Sequence, residues 1–244
     1  MSTIYLFDVD GTLTPPRQSM DEDFVEEFLE WIVDGDRTVC LVTGSDMDKI
    51  RDQIPEDVLH ACKGTFACMA NQYWERNKLV YQVSFLPSKK LLNDLQLYLE
   101  LGSTYDSRTG NHIETRPGMI NFSVVGRDAT RKQREAYNEW DKHMGERKDI
   151  VEYVTTKYPF LEASIGGSIS VDIYPIGNDK SQAIKYLNFE DNTAEFVFVG
   201  DRTEPGGNDH ALVEELDEHE NSSWFRVESW EDTRQLIREN EAFV

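Results

Sequence analysis

The stretch Leu6-Phe7-Asp8-Val9-Asp10-Gly11-Thr12-Leu13-Thr14 constrains this chain more than any other. An apolar run, Ile4 to Phe7, ends in two carboxylates one residue apart, and glycine and hydroxyl residues come at once after them. Such a run reads as a buried strand that delivers Asp8 and Asp10 to its C-terminal edge. Residues two apart on a strand share a face, so both carboxylates point the same way. Gly11 then lets the chain turn sharply away. Two close carboxylates repel, and a bound divalent cation is the simplest remedy. An Asp-Gly turn closing a hairpin would give the same local sequence. The choice depends on what the rest of the chain supplies.

Beyond Thr14 the chain takes on a strand–helix rhythm. Phe24, Val25, Phe28, Leu29 and Ile32 fall at helical spacing between Asp21, a candidate N-cap, and Gly35, a candidate stop. Thr38 to Val42 is a short apolar strand of the kind buried in parallel sheets. It runs into Thr43-Gly44-Ser45-Asp46 and a helix from Asp46 to Ile54, which completes a βαβ unit. Short strands around Phe66–Met69, Tyr73-Trp74 and Leu79–Gln82 read as a small antiparallel flap.

Near Leu86 the character changes. A helix capped by Ser88 is followed by strands His112–Arg116 and Met119–Val124 around the turn Pro117-Gly118. Helices Thr130–His143 and Glu146–Lys157 come next, then strands Leu161–Ile165 and Ser168–Tyr174. From Asp179 the first rhythm returns, with helix Lys180–Leu187, strand Glu195–Val199, a helix from Asp209, strand Trp224–Val227 and helix Glu231–Asn240. The expected fold is α/β: a doubly wound, Rossmann-like core made of residues 1–84 and 177–244. Residues 85–176 form an inserted α+β module carrying an antiparallel sheet.

Composition narrows the partners. With 46 acidic against 25 basic residues the net charge is −21, which argues against nucleic acid and against an anionic membrane surface. No apolar run reaches membrane-spanning length. Three cysteines in apolar surroundings, and an N-terminus that goes straight into a strand, lead to the expectation of free thiols in a cytoplasmic protein.

Several strand-to-loop junctions carry phosphate- or metal-handling groups, and parallel strands gather such junctions along one sheet edge. Thr43-Gly44-Ser45 opens a helix, where hydroxyls and free N–H groups favour a phosphate, although a simple Ser/Thr cap explains them too. Lys180, placed at the first turn of a helix, opposes the macrodipole unless an anion lies between. Val197 to Asp201 delivers another carboxylate into the loop Pro205-Gly206-Gly207-Asn208-Asp209. Asp201 and Asp209 could complete the oxygen shell of a Mg²⁺ held by Asp8 and the carbonyl of Asp10. In the inserted module, Arg116, Arg127, Arg131 and Arg134 cluster within an otherwise acidic chain. Arginine forks match phosphate oxygens, while a solvated helix face is the plainer reading for Arg131. Ser170 and Asp172, two apart on a strand, suit sugar hydroxyls or an ordinary alternating strand.

Together these stretches resemble the haloacid dehalogenase superfamily and, more narrowly, the eukaryotic-type α-phosphomannomutases with their C2-type cap. The likeness rests on Phe7 to Pro15 with Arg17, on Gly44-Ser45-Asp46, and on Arg116, Gly118-Met119, Asn121, Gly126-Arg127 and Arg134. It continues through Gly166-Gly167, Ser170, Asp172, Asp179-Lys180, Gly200-Asp201 and Pro205 to Asp209. The resemblance implies Asp8 as a nucleophile that becomes an aspartyl phosphate and Asp10 as the acid and base. Lys180 and Mg²⁺ would neutralise the transferring phosphoryl group, with Thr12 and Ser45 nearby. Arg17, Arg116, Arg127 and Arg134 would take a second phosphate, and Asn121, Ser170 and Asp172 would complete the substrate site. The metal set would be Asp8, Asp10, Asp201 and Asp209. It also implies a mutase interconverting mannose 6-phosphate and mannose 1-phosphate, a hexose 1,6-bisphosphate activator, and a homodimer formed through the cap with Tyr98, Leu99 and Leu101. A sugar-phosphate phosphatase and a non-catalytic sensor share the same scaffold. Thr43, Met69-Ala70-Asn71-Gln72 and Asn178 depart from the family pattern, and so does the stretch from Leu212 to Ser223.

Overall fold

The structure, a computed structural model, describes residues 2–219 and 221–239. In chain order the elements are β1 (Thr3–Phe7), α1 (Glu22–Asp34), β2 (Thr38–Val42), α2 (Met47–Gln53), α3 (Glu56–Ala61), β3 (Gly64–Ala67), β4 (Gln72–Glu75) and β5 (Lys78–Gln82). Next come α4 (Lys89–Leu97), a π-helical turn (Tyr98–Gly102), β6 (Ile113–Arg116), β7 (Met119–Phe122), α5 (Arg131–Met144), α6 (Glu146–Lys157), β8 (Leu161–Gly166) and β9 (Ser170–Pro175). The chain closes with α7 (Gln182–Glu190), β10 (Glu195–Gly200), α8 (His210–Asp217), β11 (Ser223–Arg226) and α9 (Trp230–Glu239). Two compact units result: Met1–Gln82 with Asn178–Val244, and Val83–Gly177.

The first unit is a seven-stranded sheet in the order β11-β10-β1-β2-β3-β4-β5. The five strands β11, β10, β1, β2 and β3 run parallel, so their C-terminal ends share one edge. Alternation along β1 builds both faces. Tyr5 and Phe7 join Phe24, Phe28 and Trp31 of α1 in one cluster, while Ile4 and Leu6 join Ile184, Leu187, Leu212 and Leu216 on the other face. Phe7 meets Phe28 edge-on at 5.2 Å between ring centres, and Phe28 stacks on Trp31 at 5.9 Å. Asp21 caps α1 by accepting from the Phe24 N–H at 3.1 Å.

Two expectations from the sequence need correcting here, and one helix goes unannounced in it. The segment from Gly64 to Gln82 is no separate flap. β3 starts at Gly64, pairs parallel with β2 and antiparallel with β4, and so extends the main sheet. Its four residues are all buried, which the polar-looking Lys63-Gly64-Thr65 start conceals. Helix α3, six residues long, is too short to show a period. Lys180 stands ahead of α7 rather than inside its first turn. The expected end of α9 at Asn240 lies outside the described residues.

The second unit is a four-stranded antiparallel sheet, β6-β7-β9-β8. Its apolar residues Ile120, Phe122, Val171 and Ile173 pack with Leu91, Leu95, Tyr137, Ile150 and Val154 of α4, α5 and α6. Leu99 is buried and Tyr98 packs against this core, so of the three residues expected at a dimer surface only Leu101 is exposed; Leu97 is exposed beside it. A buried ion pair fastens the unit at its α5–α6 corner. Arg147 Nε lies 2.6 Å from Asp141 Oδ2, its N–H donates to Asp141 Oδ1, and Nη1 donates to the Gly167 carbonyl in the β8–β9 turn. No described helix is long and apolar enough to cross a membrane.

Candidate active site

The parallel strand ends set the geometry of the first unit. Asp8 directly follows β1 and Asp201 directly follows β10, and the two strands are paired with Phe7 opposite Val199. Asp209, fully buried, precedes α8. The carboxylates of Asp8, Asp201 and Asp209 each place an oxygen within 4.8 Å of the other two. Lys180 reaches them from the other end of the chain, and its Nζ donates to Asp8 Oδ1 and Asp209 Oδ1, both at 2.6 Å. Asp209 Oδ2 also accepts from the Arg202 N–H at 3.0 Å.

Glycines make room for this cluster. Gly11 has φ +95, and a Cβ there would stand 2.5 Å from Asp201 Oδ2. A Cβ on Gly200 would stand 2.7 Å from Asp209 Oδ2.

Burial pushes the Asp8 carboxyl up to about 7, with Asp209 and Asp10 adding to the rise and Lys180 opposing it. Burial likewise pushes Asp201 up to about 8, reinforced by Asp8 and Asp209. Lys180 is fully buried, yet the attraction of Asp209 and Asp8 outweighs desolvation and holds its ammonium charged. Three carboxylates and one ammonium sum to two negative charges when ionised. A divalent cation with oxygen ligands balances that set, and Asp8, Asp201 and Asp209 are the side chains that would hold it. Two further buried atoms, the Thr12 hydroxyl and Asn208 Oδ1, have no hydrogen-bond partner among the described residues. Both lie in the loops that carry the acidic cluster, and both suit an oxygen-rich ligand or cation.

Asp10 is held apart from that cluster. Its Oδ1 accepts from the Arg17 N–H at 2.7 Å and from Gln53 Nε2 at 2.9 Å, and its Oδ2 accepts from Ser45 Oγ at 3.1 Å. Of the four residues expected to bind metal, the carboxylates of Asp8, Asp201 and Asp209 converge, and that of Asp10 is engaged by Arg17, Gln53 and Ser45 instead. The Thr43 hydroxyl accepts from the Ser45 N–H at 3.0 Å and so shapes the loop.

Two residues escaped the sequence reading. Gln53 joins Asp10 to the Thr14 hydroxyl, 3.2 Å away. Asn71 is fully buried, and its Nδ2 donates to the Cys68 carbonyl at 2.7 Å and to the Asn178 carbonyl at 3.1 Å. It thereby ties the segment leading to Lys180 to a turn in which Cys68, Met69 and Ala70 all take positive φ (53, 59 and 59). The same turn donates from Cys68 N to the Ser45 carbonyl and from Met69 N to the Thr43 carbonyl. Amide side chains leave no periodic or charge signal, and only the departure at positions 69–72 marked the place.

The second unit gathers the remaining residues on the polar face of its sheet. Glu114, Asn121, Asp172 and Ser164 sit opposite one another across the four strands. Asn121 Nδ2 donates to Asp172 Oδ1 at 2.6 Å. Arg116 pairs with Glu114 at 2.5 Å, Arg127 Nε lies 3.2 Å from the same carboxylate, and Arg127 Nη1 donates to Ser170 Oγ at 2.7 Å. Gly166 is required here, because a Cβ would stand 2.3 Å from Asp172 Oδ2. The Asn121 Oδ1 and Ser164 Oγ atoms are buried without a partner among the described residues. Arg134 donates Nε to the Ala129 carbonyl at 2.8 Å and Nη2 to the Arg127 carbonyl, which braces the loop that carries Arg127. Arg131 is an exposed helix-face residue paired with Glu135. Arg17, expected with the cap arginines, belongs to the first unit and is exposed.

A doubly wound sheet with an acidic cluster at the C-terminal ends of its parallel strands, interrupted by an antiparallel unit, is a haloacid dehalogenase-type fold. Solved structures with this architecture include a Streptococcus mutans protein, 14% identical with TM-score 0.63 over 98% of each chain. A phosphatase of that superfamily from Bacteroides thetaiotaomicron, 14% identical, aligns with TM-score 0.59 over 100% of this chain and 95% of its own. The sequence profile of the eukaryotic phosphomannomutases matches residues 25–242, and the chain belongs to that family. It is 32% identical over 248 residues to phosphomannomutase 1 of Dictyostelium discoideum, covering 98% of this chain and 96% of that protein. It is 35% identical over 221 residues to a phosphomannomutase of Nicotiana benthamiana, covering 86% and 84%.

Proposed function

We propose that this protein is a magnesium-dependent phosphomannomutase that interconverts mannose 6-phosphate and mannose 1-phosphate through an aspartyl phosphate and a hexose 1,6-bisphosphate. Glucose phosphates are candidate alternative substrates. One observation carries the reading: each unit has its own anion-handling centre, Asp8 with Lys180 in one and Arg116, Arg127 and Ser170 in the other. A phosphatase has use for the first alone, whereas a mutase must keep hold of a molecule bearing two phosphates.

The Asp8 carboxylate attacks phosphorus, and the bond from phosphorus to the sugar oxygen breaks. Asp10, held by Ser45, Gln53 and the Arg17 N–H, gives its proton to that oxygen. In the return half, Asp10 takes the proton from the other sugar hydroxyl, which attacks the aspartyl phosphate and frees Asp8. Lys180 stabilises the charge on the transferring group and opposes the rise that burial imposes on Asp8, and the buried Thr12 hydroxyl is free to donate to a phosphoryl oxygen. Asp8, Asp201 and Asp209 would hold Mg²⁺, which would supply further positive charge for the transfer. Arg116 and Arg127 grip the non-reacting phosphate as planar forks, with Glu114 giving way, while Asn121, Ser170 and Asp172 face the sugar. Arg17, on the first unit, is a further candidate phosphate ligand. Assembly as a cap-mediated homodimer belongs to the same reading, with exposed Leu97 and Leu101 as its candidate apolar contacts.

The test is to mix the protein with Mg²⁺ and mannose 1-phosphate, with and without a hexose 1,6-bisphosphate, and follow the products by ³¹P NMR. Mannose 6-phosphate forming in the presence of the bisphosphate is the expected result. Inorganic phosphate as the product under both conditions would replace the mutase with a phosphatase.

A further inference from the structure

At the N-terminal ends of β2 and β3, opposite the edge that carries Asp8 and Asp201, lies a cavity of about 450 Å³. Its lining includes Arg37, Thr38, His60, Lys63, Glu75 and Arg76. The volume falls within the range of small-molecule sites. In a chain with almost twice as many acids as bases, the lining reverses the sign, with three fixed cations and a histidine against one glutamate.

The cations come from separate elements that the sheet brings together. Thr38 opens β2, and the Lys63 N–H donates to the Val39 carbonyl just before β3 begins. β4 runs antiparallel, so its end at Glu75 and the following Arg76 return to the same edge. Arg37 is held in place: its guanidinium lies 4.6 Å over the Trp31 ring, and Nη1 donates to the Trp31 carbonyl at 2.7 Å. Gly35 makes that pose possible, since a Cβ there would stand 1.5 Å from the same Nη1. Arg76 is exposed, with no ion pair among the described residues. The opposing charges are Glu75 in the lining, Glu190 at 2.9 Å from Lys63 and Glu56 at 3.7 Å from His60.

We infer that this cavity is a second binding site, for a phosphorylated small molecule. Two arginine forks, a lysine point charge and a threonine hydroxyl are the groups that phosphate oxygens require. β2 separates the cavity from the Thr43–Ser45 loop by five residues, roughly 16 Å of strand. A ligand here therefore leaves Asp8 and its neighbours open, and β2 joins the two places physically.

Inorganic pyrophosphate is the probe, titrated calorimetrically into the full chain at low ionic strength with EDTA present. The wild-type protein should bind it. Arg76→Glu, at an exposed hairpin turn, should weaken binding by about threefold or more, and Lys63→Glu with Arg76→Glu by about tenfold or more. Arg76→Glu should keep the wild-type urea midpoint, and both variants should keep wild-type turnover, because neither residue belongs to the catalytic machinery. Arg127→Ala should bind the probe as the wild type does. No heat from the wild-type protein at millimolar pyrophosphate would overturn the assignment. So would equal binding by the double variant, or loss of binding in Arg127→Ala alone.

Discussion

Replacing Lys180 by methionine keeps a similar unbranched stem while removing the one ammonium inside the acidic cluster. In the wild-type protein that Nζ is wholly buried and donates to Asp8 and Asp209 at 2.6 Å each. Breaking a buried ion pair by deleting one partner costs about 3–5 kcal/mol, because the remaining charge is left uncompensated. Here the cluster has an escape, which is to take up a proton. Burial already pushes Asp8 up from an ordinary 3.8 to about 7, and loss of Lys180 moves it higher. A carboxyl whose folded pKa is raised loses stability as pH climbs from its unfolded value towards its folded one. Holding one proton on such a group costs about 2 kcal/mol at pH 5 but about 6 kcal/mol at pH 8, relative to the unfolded pKa of 3.8. Below about pH 7 both proteins hold the proton on Asp8 and its cost cancels, whereas above it only the variant keeps it. The deficit of Lys180→Met should therefore be about 1 kcal/mol smaller at pH 5 than at pH 8. At pH 8 it should reach about 3–5 kcal/mol. Urea unfolding of both proteins at the two pH values in EDTA measures it. An equal deficit at both pH values would refute the reasoning, since it would mean that the loss came from packing and not from charge.

Mg²⁺ must displace the protons held by Asp8 and Asp201, so its apparent affinity should fall by about two to three orders of magnitude between pH 8 and pH 6, read by calorimetry; a flat profile would show these carboxyls already ionised. Gly166→Ala pushes a methyl group against Asp172, and should cost about 1–3 kcal/mol in urea unfolding while raising KM for the hexose phosphate. Asn71→Ala takes the amide donor from the Asn178 carbonyl, while the residue-71 N–H still serves the Cys68 carbonyl, and should cost about 1–3 kcal/mol with a fall in kcat that Asn71→Asp does not restore. Arg127→Ala should slow mutase turnover at least about tenfold more than hydrolysis of p-nitrophenyl phosphate; equal losses would argue against a separate phosphate grip in the second unit.

The core was readable because its signals are strong and local. An apolar strand ending in Asp8, another ending in Asp201, and a phenylalanine-rich helix face each carry their own period or punctuation. What stayed hidden depends on distant partners. Gly64 and Thr65 look like loop residues until β2 lies beside them, at which point β3 becomes a buried strand in the main sheet. Lys180 drew attention through a supposed conflict with a helix dipole, yet it stands before α7, and the two carboxylates account for it instead. Asp10 and Asp8 look equivalent in sequence, and only the fold separates one into the metal-suited cluster and the other into a hydrogen-bonded cradle. Gln53 gave no sign at all and Asn71 only a departure from the family pattern, because a neutral amide becomes informative only when its partners are known.

The order of the strands also governs how such a chain can come into being. β1 sits between β2 and β10, and its register with β10 joins Thr3 to Glu195 and Phe7 to Val199. While the chain is being synthesised from its N-terminus, β1 can pair with β2 early, but its other edge stays bare until about 190 residues have been added. The inserted unit, one continuous stretch from Val83 to Gly177, can fold within that interval. The cluster of Asp8, Lys180, Asp201 and Asp209 thus forms late, because it waits for residues about 200 positions after Asp8. A nascent chain stalled before β10 would expose an apolar, hydrogen-bond-hungry strand edge, the kind of surface on which chaperones act and aggregates begin.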